Sequence, residues 1–242
     1  MRRELLDVTR FIVFIFVFLI INVPIYMQLY NLFLKDKKLW QIVAITALYW
    51  IGTVFTENFF PFLTVIFLIS KFHTSIEEKN YMRDVDIWRY KWPTIISVSF
   101  ATLAFKAALT LSNAIYIFIL NYFMKFDLKP QEVVTDFYES GFYARLALFF
   151  LIVIFAPFVE EYVFRYFLYD KLFLPRMPAT FAAILSAIIF TIAHYNASGI
   201  PSFFGLALFC NYMYEKKGYF AAVAAHMTFN LSTIVLLLFV KV

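Results

Sequence analysis

The sequence predicts an all-α protein, a polytopic transmembrane helical bundle of seven or eight spans, and three observations predict it. Hydrophobic residues fill 63% of the 242 positions, against about half in a soluble domain. They fall into runs of about the 20 residues that a helix needs to cross a bilayer. Clusters of Lys and Arg stand between the runs, so the net charge of +5 reads as a membrane-surface signature. The basic residues form no nucleic-acid-binding stripe, and no nucleic-acid partner is expected. One cysteine, Cys210, leaves no intrachain disulfide and no cysteine-based metal site.

The elements follow in order. Residues 11–34 form a first apolar run, and without small residues at a cleavage site it reads as an uncleaved span. Residues 39–70 are apolar but interrupted by Glu57, Asn58 and Pro61, and fit either one long bent helix or two short ones. Residues 71–92 are polar and basic, with His73 as a solvated loop residue. The span 94–123 contains Lys106, expected to snorkel to the interface, with pairing to Glu57 as the alternative. Residues 125–140 carry Asp127, Glu132, Asp136 and Glu139 and read as an external loop. The apolar run 142–159 leads into two carboxylates, with Pro157 as a kink. Residues 166–174 are aromatic, and either continue that helix or lie along the interface. The pair Pro175 and Pro178 marks the clearest turn in the chain.

Helices are then expected over 179–194, 201–214 and 218–240. Small residues at i, i+4 (Ala183/Ala187, Ala182/Ser186, Ala221/Ala225) allow close approach. The chain therefore divides into 1–140, Phe-rich helices packing outside, and 141–242, a helical core. If 165–178 faces the cytoplasm, alternation puts 71–92 and 215–217 on the same side and 125–140 on the other. Three basic residues on either choice of N-terminal side leave the first span's direction open.

The chemistry gathers at Glu160-Glu161-Tyr162-Val163-Phe164-Arg165. Ionisable groups at membrane depth are expensive and mark functional sites. On a regular helix Glu161 and Arg165 stand one turn apart and pair, leaving Glu160 free. His194 lies seventeen residues after Met177 and Glu160 seventeen before it. Two helices folded back at the proline turn would therefore bring both to one depth, about 25 Å from the turn. His226 and Asn230 share a helical face. A solvated ion pair or polar helix–helix contacts would explain each group singly, but two carboxylates, an arginine, two histidines and an asparagine together are better explained by one site.

Glu160-Glu161-x-x-x-Arg165, Phe190-x-x-x-His194 and His226-x-x-x-Asn230 resemble, in order, the three motifs of the intramembrane CAAX-protease and bacteriocin-processing family. That group, also called Abi proteins, is related to the Ras-converting CAAX endopeptidase. The resemblance covers about 150–235 and implies an intramembrane endopeptidase acting on membrane-associated peptides or proteins, prenylated or not. It implies that Glu160 and His194 activate a water while His226 and Asn230 hold the oxyanion. Glu161 and Arg165 would support Glu160 by packing and charge, and Phe190 would be a wall. No cofactor is expected, since Asn230 suits an oxyanion donor; the alternative is Zn²⁺ held by Glu160, His194 and His226. The chain is expected in the lipid bilayer as an integral, multi-pass protein, in the cell membrane if the source is bacterial. The rival readings are a non-catalytic bacteriocin-immunity or membrane-sensor regulatory protein of the same fold, and a transporter with a Glu160/His194 proton relay. The absence of internal repeats counts against the last.

Overall fold

The computed structural model describes residues 2–56, 58–72, 92–124, 137 and 139–239. The expectations placed on Glu57, on His73 and the rest of 73–91, and on Asp127, Glu132 and Asp136 lie outside these residues. Among the described residues there are eight helices and no strand: α1 (Arg2–Leu29, continued by a π-helical turn Tyr30–Leu34), α2 (Leu39–Thr56), α3 (Phe59–Phe72), α4 (Trp92–Met124), α5 (Phe142–Phe173), α6 (Ala179–Ala193), α7 (Ile200–Lys217) and α8 (Tyr219–Phe239). The interrupted stretch 39–70 is thus two helices, broken beside Asn58. Five helical stretches, Phe14–Leu34, Leu39–Thr56, Thr94–Phe123, Phe142–Phe173 and Tyr219–Leu236, are long and apolar enough to cross a membrane. Their outer faces present large apolar side chains such as Phe55, Phe100 and Phe118, as lipid requires.

Helix α5 is not one regular helix. It is α-helical over Phe142–Phe150, π-helical over Leu151–Phe155, α-helical over Ala156–Glu161 and π-helical over Tyr162–Phe173. The first π-helical turn ends two residues before Pro157, which cannot donate to a helical ladder. Tyr162, Val163, Phe164, Arg165, Tyr166, Leu168, Tyr169 and Asp170 are all buried. The aromatic stretch therefore continues the helix inside the protein; lying along the interface would have left one face of it exposed.

Helices α6, α7 and α8 pack closely because small residues line their contacts. Ala182, Ala187, Ala207, Ala221, Ala222 and Ala225 have no solvent-exposed surface, and Ser186 Oγ donates to the Phe164 carbonyl at 2.8 Å, tying α6 to α5. Gly205 faces Leu109 so closely that a Cβ there would lie 2.3 Å from its side chain, which brings α7 against α4. The turn from α7 to α8 is made by Gly218 at φ 87°, whose N–H bonds the Tyr214 carbonyl, a positive φ that favours glycine. Tyr214 donates to Asp170 at 2.8 Å, Tyr169 bonds Glu215, and Lys217 donates to Ser97 at 3.3 Å. The end of α5, the end of α7 and the start of α4 thus lie at one end of the bundle, as alternation of the basic segments requires.

Lys106 corrects an expectation. It does not snorkel: only 9% exposed, its Nζ donates to the Phe229 carbonyl (2.8 Å), Ser232 Oγ (2.8 Å) and Thr233 Oγ1 (2.6 Å) of α8, and sits 4.5 Å from the centroid of the Phe229 ring. Three donors find three acceptors on one turn, so the ammonium is satisfied without reaching water. Lys106→Met is expected to destabilise the fold by about 1.5–3 kcal/mol, the range for hydrogen bonds to a charged group. A lowered midpoint in denaturant titration of the detergent-solubilised protein checks this; an unchanged midpoint would mean that the bonds to α8 contribute nothing.

Candidate active site in the helix bundle

Glu160 is carried by the short α-helical segment of α5, between its two π-helical stretches. Its Oε2 is buried and has no hydrogen-bond partner among the described residues. It lies 3.8 Å from His194 Nε2 and 3.9 Å from His226 Nε2. These separations are too long for direct hydrogen bonds and suit a small group held between them. A cavity of about 290 Å³ opens at this point, lined by Glu160, His194, His226 and Asn230 together with Asn58, Phe203 and apolar residues of α1, α5 and α6.

Each imidazole is fixed through its other nitrogen. His194 terminates α6: its N–H reaches Thr191 O, and Tyr195 beyond it takes φ 43° and turns the chain out of the helix. His194 Nδ1 lies 2.8 Å from the Phe190 carbonyl, which only accepts, so Nδ1 carries the proton and Nε2 faces Glu160 with a lone pair in the neutral ring. The ring is sandwiched between Phe190 and Phe203, with centroids 4.4 and 4.3 Å away. His226 Nδ1 lies 2.8 Å from Glu161 Oε1, and a carboxylate likewise leaves the proton on Nδ1. Nε2 of His226 therefore donates a hydrogen bond only in the imidazolium form.

Glu161 has two partners, His226 on one oxygen and Arg165 Nε at 2.9 Å on the other, with both side chains of the ion pair fully buried. The i, i+4 pair expected from the sequence is present. The expected purpose differs: Glu161 orients His226 directly, because its second oxygen points across to α8 rather than towards Glu160. Arg165 also lies over the Phe190 ring, 4.9 Å from its centroid. Phe190 has no exposed surface and does not line the cavity. It packs behind it, touching His194, His226 and Arg165, so the expected wall is a support instead.

Asn230 Nδ2 donates to the Ile152 carbonyl at 2.9 Å, leaving its second N–H and its Oδ1 for other partners. The structure brings Glu160, His194, His226 and Asn230 to one cavity, with Glu161, Arg165 and Phe190 packed behind it, and adds Asn58, the Ile152 carbonyl and Phe203. Asn58 was visible as a polar break in an apolar stretch. Phe203 had no signal among 33 phenylalanines, and a backbone carbonyl has none in any sequence.

Glu160, His194 and His226 offer a carboxylate oxygen and two ring nitrogens, a donor set that fits Zn²⁺. Contraction by about half an ångström would be needed, since ligands about 2.0–2.1 Å from one tetrahedral zinc stand about 3.3 Å apart. Among the described residues Glu161, Cys210 and His226 also approach one another, but Arg165 beside Glu161 opposes a cation there.

Comparison with known proteins gives one finding. Residues 142–232 match the family model described as type II CAAX prenyl endopeptidase Rce1-like. No curated protein and no solved structure matches the chain. The matched segment contains all the cavity-lining residues except Val17, Ile21 and Asn58, and the five apolar helices together with a membrane-protease family identify an integral membrane protein. Over residues 142–232, the chain is thus similar to the Rce1-like type II CAAX prenyl endopeptidases.

Proposed function

We propose that the protein is a multi-pass intramembrane endopeptidase that hydrolyses peptide bonds in membrane-associated substrates, with 141–242 as its catalytic core and 1–140 as surrounding helices. The observation that carries this reading is the unpaired Glu160 Oε2, buried in a polar cavity between two anchored imidazoles. A water between Glu160 and His194 Nε2 gives a proton to the carboxylate as its oxygen attacks the scissile carbonyl, and His194 accepts its second hydrogen bond. The same carboxyl then protonates the leaving amine. The oxyanion is held by the free N–H of Asn230 and by Nε2–H of His226 as imidazolium. Glu161 and Arg165 cancel in charge, so the pair behind the site adds no net charge to its dry surroundings.

A zinc ion on Glu160, His194 and His226 would supply Lewis-acid activation of the same water. The division of donors into a base pair and an oxyanion pair containing an amide favours the carboxylate as the base. Strong, membrane-permeant chelators are accordingly expected to leave turnover in nanodiscs largely intact. Complete loss, restored by stoichiometric Zn²⁺, would reassign Glu160, His194 and His226 as ligands.

The reading itself is tested with a farnesylated peptide ending in a CAAX sequence and its unprenylated counterpart, each quenched across the scissile bond. Cleavage of either by the purified protein supports a peptidase, and the ratio of the two rates decides whether the prenyl group is read. No cleavage of either peptide, or of membrane-inserted peptides of mixed sequence, overturns the reading.

A further inference from the structure

The Ile152 carbonyl that holds Asn230 is available for a reason encoded four to five residues further on. In an α-helical turn its partner would be the N–H of Ala156; in a π-helical turn it would be that of residue 157. The N–H of Ala156 turns back to the Leu151 carbonyl, in the π register. Residue 157 is proline and has no N–H. Both donors that the helix would offer to Ile152 are thereby removed, inside an apolar segment where an unsatisfied carbonyl costs free energy. Asn230 Nδ2, arriving from α8 at 2.9 Å, fills the vacancy. The exchange is reciprocal: the helix is satisfied by a side chain, and the side chain is fixed by the helix.

We propose that Pro157 is a positioning residue: with the π-helical turn Leu151–Phe155 it frees the Ile152 carbonyl, and that carbonyl locks the Asn230 amide with its second N–H turned into the cavity. The consequence for catalysis rests on the peptidase reading above; the structural part does not. One side-chain N–H is committed to the main chain, so the amide plane cannot flip and present its oxygen to a developing oxyanion. Such fixed orientation before the reaction is what makes a hydrogen-bond donor effective in the transition state. Pro157 is also buried and does not line the cavity, so no contact with substrate is required of it.

The discriminating substitution is Pro157→Ala, which restores an N–H and, in a helix interior, favours folding. That N–H competes for the Ile152 carbonyl and releases Asn230. With the CAAX peptide as probe, Pro157→Ala is expected to lower kcat about tenfold with KM within about twofold, while Asn230→Ala lowers kcat by about 10²–10³-fold, as loss of an oxyanion donor does. The double variant is expected to match Asn230→Ala within about twofold, because the proline acts only through the asparagine. Wild-type kcat in Pro157→Ala, or a further tenfold loss in the double variant, overturns the proposal. If the wild-type protein cleaves nothing, the peptidase reading fails and a structure of Pro157→Ala in nanodiscs decides the positioning role. Asn230 Nδ2 should then lie beyond 3.5 Å from Ile152 O, with the new N–H at position 157 within about 3.2 Å of it; a retained Asn230 contact overturns the proposal.

Discussion

Glu160→Gln is expected to lower kcat by about 10²–10⁴-fold, the span lost with a general base, while the protein folds and inserts normally. The substitution is isosteric, and Oε2 of Glu160 makes no hydrogen bond that the fold depends on. What it removes is the one basic oxygen facing both imidazole Nε2 atoms. Cleavage assays on protein normalised by monodisperse yield provide the check, and a glutamine variant within tenfold of the wild type would move the base elsewhere. Glu161→Gln is the paired control. It leaves Glu160 in place and keeps an oxygen for His226 Nδ1, so activity per folded molecule should exceed that of Glu160→Gln, although Arg165 loses its counter-charge and the yield falls.

The juxtaposition of Glu160 with His194 was legible because both arms of the proline turn are helical and of equal length. Unequal winding would have upset a calculation by rise alone, and residues 162–173 are indeed π-helical. Glu160 and His194 nevertheless meet, 3.8 Å apart, despite that difference in winding. The Glu161–Arg165 pair was legible from i, i+4 spacing. Two features were hidden for the same physical reason. Lys106 and Glu161 each have a partner on α8, over a hundred and over sixty residues away respectively, and no local pattern specifies which distant helix a polar group will face. Charge alone said that Lys106 needed relief, and snorkelling was the local solution. Packing supplied a distant one. The winding of α5 lies between these cases: Pro157 announced a disturbance, but the choice between a kink and a π-helical turn depends on what can satisfy the freed carbonyl, and that donor comes from residue 230.

Arg165→Met is expected to destabilise the protein by about 3–5 kcal/mol, the loss that follows removal of one partner from a buried ion pair. Both side chains are fully buried, so Glu161 has no water to replace the guanidinium. The loss also reaches the cavity: an uncompensated Glu161 draws more strongly on the Nδ1 proton of His226, and the Phe190 ring loses the cation stacked on it. If the loss arises from the orphaned charge rather than from missing volume, removing that charge as well should reverse much of it. Arg165→Met combined with Glu161→Gln is therefore expected to be more stable than Arg165→Met alone, by about 1–3 kcal/mol, a coupling of the size found for residues in one network. Denaturant titration of the two single variants and the double variant measures the coupling directly. A double variant less stable than either single one would show that shape, and not charge, is what Arg165 contributes behind the site.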